Sequence, residues 1–433
     1  MLTLRDPIHG FIRADRLESA LVDSRPVQRL RHVHQLGLTS LVFPGAEHSR
    51  FSHALGAMEL AGRVYDALAA KGDGLLPPPR TARERRLVRL AALFHDAGHA
   101  PFSHSAEELF EEGLDHEAMS RRVLATDEVR DVFARRADES SPTPDEVAAL
   151  LAAGAEPAVN EATGHAGAGS SGSEAGQAGG GPPAAGAPNR PPVLRLLAQV
   201  VSGELDVDKM DYLLRDSLYC GVRYGSFDLD RLLDTLVPLE DPETGEWGIG
   251  VEAGGVHAVE ALVMARYYMF TQVYFNPVGK ALELHLNEWL EETGRRWPAD
   301  PGAFLEIDDV TVWAALRGSD SVHARAVVGR RHYPLAFETD EHLSAGERAA
   351  FARLVDELRG RFGHDLLVSH SAKDPHRMGA SRVLVRHADG RLEPMARASH
   401  FMRHLGRIDR YRVYAPPARR DEVAAAIRQR WPG

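Results

Sequence analysis

Four residues at three places along the chain could hold a divalent metal: His53, the adjacent pair His95 and Asp96, and Asp208. Two imidazoles and two carboxylates suit Mn, Fe or Zn better than an all-oxygen Mg site, with Mg kept as a further candidate. An octahedral ion with four protein ligands keeps two positions for water and a phosphate oxygen, the arrangement of a catalytic centre. A bare His-Asp pair decides nothing. A second one, His364-Asp365, has no comparable surroundings, whereas "LFHDAGHAPFSH" (residues 93–104) gathers three histidines and Asp96 in twelve positions. Taken singly, each of these histidines is more often a satisfied core or surface group than a ligand.

Three helices have to bring the donors together. "TARERRLVRLAALFHDAG" opens with Thr81 and Glu84 at capping-box spacing and continues with Leu87, Leu90, Ala91 and Phe94 at helical intervals. Its end at Gly98 puts His95 and Asp96 in the last turn. "SRFSHALGAMELAGRVYDALAA" predicts an amphipathic helix with His53 in its first turns. "DVDKMDYLLRDSLY" predicts a third, on which Asp208, Tyr212 and Asp216 share a face at four-residue spacing.

Up to about residue 300 the chain reads as helical, apart from 154–192. That stretch is nearly all small residues, Pro and polar groups, too poor in apolar surface to offset its ordering entropy, and is expected to be a disordered insertion. Beyond residue 300 the pattern changes. "SRVLVRHADGRLEPM" alternates around Asp389-Gly390 as a hairpin does, "YRVYAP" is strand-like and "RDEVAAAIRQRW" is an amphipathic helix. The expected fold is mainly α, with a helical domain over 1–300 and a smaller α+β domain over 301–433.

A chain of 433 residues can bury a substantial core. Its formal charge of −11 argues against general nucleic-acid binding, but a few local Arg and Lys can still receive a small polyanion. The one cysteine, Cys220, excludes an internal disulfide, fits a reducing cytoplasm and reads as a small packed side chain. The opening "MLTLRDPIHG" lacks the pattern of a signal peptide. "VHAVEALVMARYYMFTQVYF" is interrupted by Glu260 and Arg266, so it reads as a buried helix and no membrane association is expected. The expected localisation is cytoplasmic.

The strings "RFSHALG", "HDAGHAPFSH", "DHE" and "LDVDKMDYLLRD", in this order, resemble the HD-domain phosphohydrolases, in particular the deoxynucleoside triphosphate triphosphohydrolases. The similarity runs from "LRDPIHGFI" to about residue 290, the low-complexity segment excepted. The resemblance implies an HD-domain helical core and metal ligands at His53, His95, Asp96 and Asp208. It also implies acid–base histidines at His99 and His116, with Glu107 orienting one of them, and a phosphate or supporting contact at His104. For His116 the competing reading is decoration of a helix N-terminus. Arg50 and Lys209 match residues that grip the triphosphate. Gln35, Tyr212, Asp216 and Tyr274 match residues that contact the sugar, although a core aromatic is the rival reading of Tyr212. Phe270, Phe275 and Pro277 depart from the polar or basic residues of the family pattern, which puts base recognition in doubt.

The family's larger members are activated by a guanine nucleotide at a subunit interface. The residues that read guanine match Asp23, Gln28 and Arg31, for which ordinary surface charge, with Asp23 as an N-cap, is the alternative. The resemblance therefore implies a dNTP substrate, a dGTP or GTP effector and a homo-oligomer, dimer or tetramer. Two other functions fit the same metal ligands. One is an HD phosphohydrolase acting on an alarmone, a cyclic nucleotide or a nucleoside monophosphate, against which Gln35, Tyr212 and Asp216 argue. The other is a nucleotide-responsive scaffold without catalysis, which would have no use for His99 and His116.

Overall fold

Asp6 and Gly10 turn the first strand back on itself. Asp6 Oδ1 accepts from the amides of Ile8 and His9, each at 2.9 Å, and Gly10 takes the left-handed conformation (φ +73°) that closes the turn. Strands Leu2–Asp6 and Gly10–Ala14 thereby pair antiparallel, with Leu2 opposite Ala14. The computed structural model describes residues 2–72, 75–77, 83–102, 109–154, 192–376 and 383–431. The expected insertion at 154–192 lies almost wholly outside these residues, as do Thr81, His104 and Glu107 and the side chain of His364.

Behind the hairpin the fold is mainly α. Helix Arg50–Lys71 is the central element, with His53, Ala54, Ala57, Met58, Leu60, Ala61 and Val64 fully buried along it. Its small residues let neighbours approach closely. A Cβ at Gly56 would lie 2.0 Å from Asp211 Oδ1 on helix Val207–Tyr219, so only glycine fits there. Helix Arg83–Phe94 also packs on this central helix, with Leu90 to Phe94 buried without a break. This helix stops at Phe94, one residue short of the metal candidates. His95 and Asp96 occupy the turn that follows it, not its last turn as the spacing predicted. Gly98 is required there by packing, because a Cβ would sit 2.2 Å from the His116 carbonyl oxygen.

The region before residue 300 is not helical throughout. Besides the first hairpin, strands Leu236–Glu240 and Trp247–Glu252 pair antiparallel. The second of these pairs in parallel with Leu384–Arg386, which pairs in turn with Leu392–Pro394 across the Asp389-Gly390 turn (Gly390 φ +83°). The hairpin read from the sequence thus extends a sheet begun about 140 residues earlier. Short helices Asp309–Arg317 and Val322–Val328 bury Val312, Leu316, Ala324 and Val327 in the main core.

A separate small core lies under the antiparallel sheet of Leu335–Glu338, Ile408–Tyr414 and Leu367–Lys373. Helices Ala345–Phe362 and Arg420–Arg428 cover it with Phe351, Leu358 and Ile427. Cys220 is packed, as its surroundings predicted; burial, and then Asp216, push its thiol up to about 12. Among the described residues, no helix is long and apolar enough to cross a membrane.

Candidate metal centre

His53 stands on the first turn of helix Arg50–Lys71 and Asp208 on the first turn of helix Val207–Tyr219. The turn after Phe94 brings His95 between them. His53 Nε2 lies 3.0 Å from Asp208 Oδ1 and 3.2 Å from His95 Nε2, and His95 Nε2 is 3.5 Å from Asp208 Oδ1. One ligand atom from each residue falls within 4.8 Å of the others, close enough to share an ion. Asp96 faces the same point, with Oδ1 3.3 Å from His95 Nε2 and Oδ2 3.7 Å from His53 Nε2.

What surrounds these residues decides how they present themselves. His95 Nδ1 meets the carbonyl of Ala92 at 2.7 Å, so it carries the proton and leaves Nε2 as a lone pair facing inward. His53 Nδ1 meets Asp211 Oδ2 at 2.8 Å, with the same consequence. Asp211 is fully buried and accepts four hydrogen bonds. Besides His53 they come from His9 Nε2 at 2.6 Å and from Arg215 Nε and Nη2 at 2.7 and 2.9 Å. Arg215 is anchored in turn by Asp6 Oδ2 at 2.9 Å.

The carboxylates also draw protons onto the two imidazoles, and a bound ion would have to displace them. Burial disfavours the His53 cation, but hydrogen bonds to Asp208 and Asp211 outweigh it and raise its pKa to about 10. Burial likewise works against the Asp96 and Asp208 anions. Arg50 with both histidines holds Asp96 well below the usual carboxylate range, and His53 and His95 do the same for Asp208. A site that holds its carboxylates charged and aims two imidazole Nε2 atoms at one point, where an ion would take the place of their protons, fits a borderline divalent cation.

His99 follows the turn and is buried. Its ring lies 4.0 Å from that of His116 in an edge-on pair, and its Nε2 is 3.6 Å from Asp96 Oδ1. The cap of helix His116–Leu124 is Asp115, which accepts from Ala118 N at 2.6 Å, so His116 is not the cap. His104 and Glu107 fall outside the described residues.

Several of the expected substrate residues contact one another around Asp216 and Tyr274. Asp216 Oδ1 meets His48 Nε2 at 2.8 Å, and Asp216 Oδ2 accepts from the Tyr274 hydroxyl at 2.8 Å. Tyr274 packs edge-on against Tyr212 at 6.2 Å, and the backbone N–H of Gln35 donates to the His48 carbonyl at 3.0 Å. Tyr212 packs partly buried against the main core, and its ring meets that of Tyr274. Arg50 Nη1 contacts Asp96 Oδ2 at 2.5 Å, and Lys209 Nζ contacts Asp206 Oδ2 at 2.5 Å and the Gly203 carbonyl at 2.6 Å. Both expected phosphate-gripping cations are thus engaged within the chain. Phe270 to Tyr274 form a single π-helical turn, a widening that often marks functional sites, and Pro277 opens the next helix.

Asp23, Gln28 and Arg31 belong to the segment that follows helix Arg16–Val22. Gln28 Nε2 donates to the Val22 carbonyl at 2.7 Å, Arg31 Nε donates to Gln28 Oε1 at 2.8 Å, and the Arg31 guanidinium covers the Phe51 ring at 3.6 Å. Asp23 is exposed and caps the C-terminus of helix Arg16–Val22, whereas the N-cap of the next helix is Ser24; the rival reading of Asp23 as an N-cap is therefore corrected. Sequence reasoning missed His9, His48, Asp211 and Arg215. The i,i+4 spacing of Asp211 and Arg215 inside "DYLLRD" was the available signal, but such pairs are common on solvated helices.

Residues 50–202 match the HD domain, and residues 227–334 match the HD associated region. Together with the fold, these matches place the chain in the family of HD-domain phosphohydrolases. The uncharacterized protein YwfO of Bacillus subtilis is 36% identical over 311 residues, 70% of this chain and 60% of its own length. The deoxynucleoside triphosphate triphosphohydrolase SAMHD1 homolog of Dictyostelium discoideum is 28% identical over 319 residues, covering 71% of this chain and 53% of that protein. A solved structure of a hypothetical protein from Aquifex aeolicus is similar with a TM-score of 0.75 at 26% identity, over 98% of this chain and 99% of that one. The chain thus spans 60% or less of the length of the two named relatives.

Proposed function

We propose that this HD-domain phosphohydrolase is a metal-dependent dNTP triphosphohydrolase, releasing a deoxynucleoside and inorganic triphosphate. The observation that carries the reading is the convergence of His53, His95 and Asp208 within 4.8 Å, with the His99–His116 pair next to Asp96 and with Tyr212 and Asp216 on the same helix as Asp208. Kinship with a deoxynucleoside triphosphate triphosphohydrolase homolog supports the choice of substrate.

His53, His95, Asp96 and Asp208 would hold the ion, which supplies Lewis-acid polarisation of the phosphate and activation of water. Water attacks the α-phosphorus and the bond to the 5′ oxygen breaks. The leaving oxygen takes its proton from the His99–His116 pair, whose contact lets one ring stabilise the charge on the other. Arg50 and Lys209 serve the triphosphate by leaving Asp96 and Asp206 when substrate arrives. Tyr212 lies against the 2′ carbon and excludes ribose, while Gln35, Asp216 and Tyr274 define the 3′ side. Asp216 acts mainly by orienting Tyr274 and His48, since each of its oxygens already has a partner. Asp23, Gln28 and Arg31 would form a guanine-nucleotide effector site in a homo-oligomer.

The test is incubation of the protein with each dNTP and Mn, with and without dGTP or GTP, and chromatography of the products. Deoxynucleoside plus triphosphate supports the proposal. Cleavage of an alarmone, cyclic nucleotide or monophosphate in place of dNTPs refutes the substrate assignment.

A further inference from the structure

Asp309 lies far from the metal ligands in sequence and is not one of the expected site residues, yet it is 1% exposed and fully engaged. Its Oδ2 accepts from the backbone amide of His34 at 2.9 Å and meets His34 Nδ1 at 2.7 Å, while its Oδ1 accepts from the amide of Phe102 at 2.9 Å. The two segments it joins are the one carrying Gln35 and the one that follows His99. Phe102 is in the left-handed region (φ +59°), a strained conformation for a bulky residue, and its ring packs edge-on at 5.8 Å against Trp313, one turn beyond Asp309. Gly37 completes the contact, since a Cβ there would lie 3.0 Å from the Phe102 carbonyl oxygen. Arg29 holds the neighbouring His99 carbonyl with both terminal nitrogens at 3.1 Å while Nε donates to the Ile307 carbonyl at 2.7 Å.

We infer that Asp309 is a positioning residue: its carboxylate clamps the Gln35 and His99 segments at a fixed separation, so that the proton-transfer histidine and the sugar contact address one substrate. This rests on the proposed roles of His99 and Gln35. Asn is the informative substitution. A carboxamide turns one acceptor oxygen into a donor that faces either the Phe102 or the His34 amide, so one segment is released while side-chain size is kept. The strain at Phe102 then has less to oppose it. A displacement of about 1 Å at His99 can cost on the order of 100-fold in rate.

The test is Asp309→Asn, alone and combined with His99→Ala or Gln35→Ala, with His34→Ala as a milder variant that removes only a partly exposed side chain. Hydrogen exchange of the metal-loaded protein should show protection lost at the amides of His34 or Phe102, with Mn content unchanged. The kcat should fall about 10- to 100-fold in Asp309→Asn. The same change should cost less than about threefold in the His99→Ala background if the Phe102 amide is the one exposed, or in a Gln35→Ala background if it is the His34 amide, because the group that would be displaced is already gone. His34→Ala should shift kcat less, in the same direction. A purely structural role lowers all backgrounds by the same factor, and that result, or exchange confined to helix Asp309–Arg317, overturns the inference. Rates are read on dATP and on bis(p-nitrophenyl) phosphate. Diester cleavage without dATP turnover refutes the dNTP reading while the cycle still judges Asp309. A wild-type protein that cleaves neither refutes both.

Discussion

Replacing Asp211 with Asn perturbs the centre without touching a ligand. Each Asp211 oxygen accepts from two donors: Oδ1 from His9 and Arg215 Nη2, Oδ2 from His53 and Arg215 Nε. A carboxamide must turn its NH2 toward one of these pairs. If it faces His53, the imidazole keeps a bond only by accepting at Nδ1, which moves its proton to Nε2 and removes the inward lone pair. If it faces His9, the buried Arg215 still loses one of its two carboxylate partners and keeps only Asp6. The first effect belongs to the class of outer contacts that tune a metal by about 10- to 100-fold, or about 1.4–2.8 kcal/mol. The second resembles breaking a buried ion pair, about 3–5 kcal/mol of stability, which a fold of about 5–15 kcal/mol can survive. Mn titration followed by calorimetry, with urea unfolding of the metal-free protein alongside, separates the two. Asp211→Asn should bind Mn at least about tenfold more weakly while still folding. Wild-type Mn affinity in a destabilised variant would refute the claim that Asp211 sets the His53 tautomer.

Asp208→Ala should lose metal and turnover yet keep its helical circular dichroism, because the Asp208 side chain is 36% exposed and makes no core contact that folding requires; metal content and activity equal to wild type would contradict this. Tyr212→Ala should narrow the preference of dATP over ATP in kcat/KM by about tenfold or more, mainly by admitting the ribonucleotide. Acid should destabilise the protein through His285, whose Nε2 accepts from the Tyr333 amide at 3.0 Å and whose Nδ1 faces His323 Nδ1 at 2.9 Å. Burial, then His323 and His332, push its pKa down to about 3. The unfolded chain therefore binds this proton first: the contribution is complete above about pH 6.5 and is lost as pH falls toward 3, by about 2 kcal/mol at pH 5. Urea titrations should show a shallower loss between pH 7 and 5 in His285→Gln than in wild type.

The helices that deliver His53 and Asp208 were legible because their apolar positions repeat at helical spacing and the donors fall at their first turns. The turn holding His95 and Asp96 was less so. Gly98 looked like a helix terminator, but its place is fixed by the His116 backbone, a contact that no local pattern encodes. The same limit hid the pairing of Trp247–Glu252 with Leu384–Arg386, and Asp309, whose partners lie more than 200 residues away. The hairpin at Asp389-Gly390 was readable because its turn is local. The network of Asp6, His9, Asp211 and Arg215 lay partly inside quoted motifs, but its purpose depends on the Nδ1 of His53, which only the folded geometry brings to it.

The central claim is that this centre directs water onto the α-phosphorus of a dNTP. Turnover of dATP in H2¹⁸O with Mn, followed by mass spectrometry of the products, tests it most directly. The account predicts unlabelled deoxyadenosine and triphosphate carrying one ¹⁸O. Label in orthophosphate or pyrophosphate, or label on the deoxynucleoside, would place the attack elsewhere and contradict it.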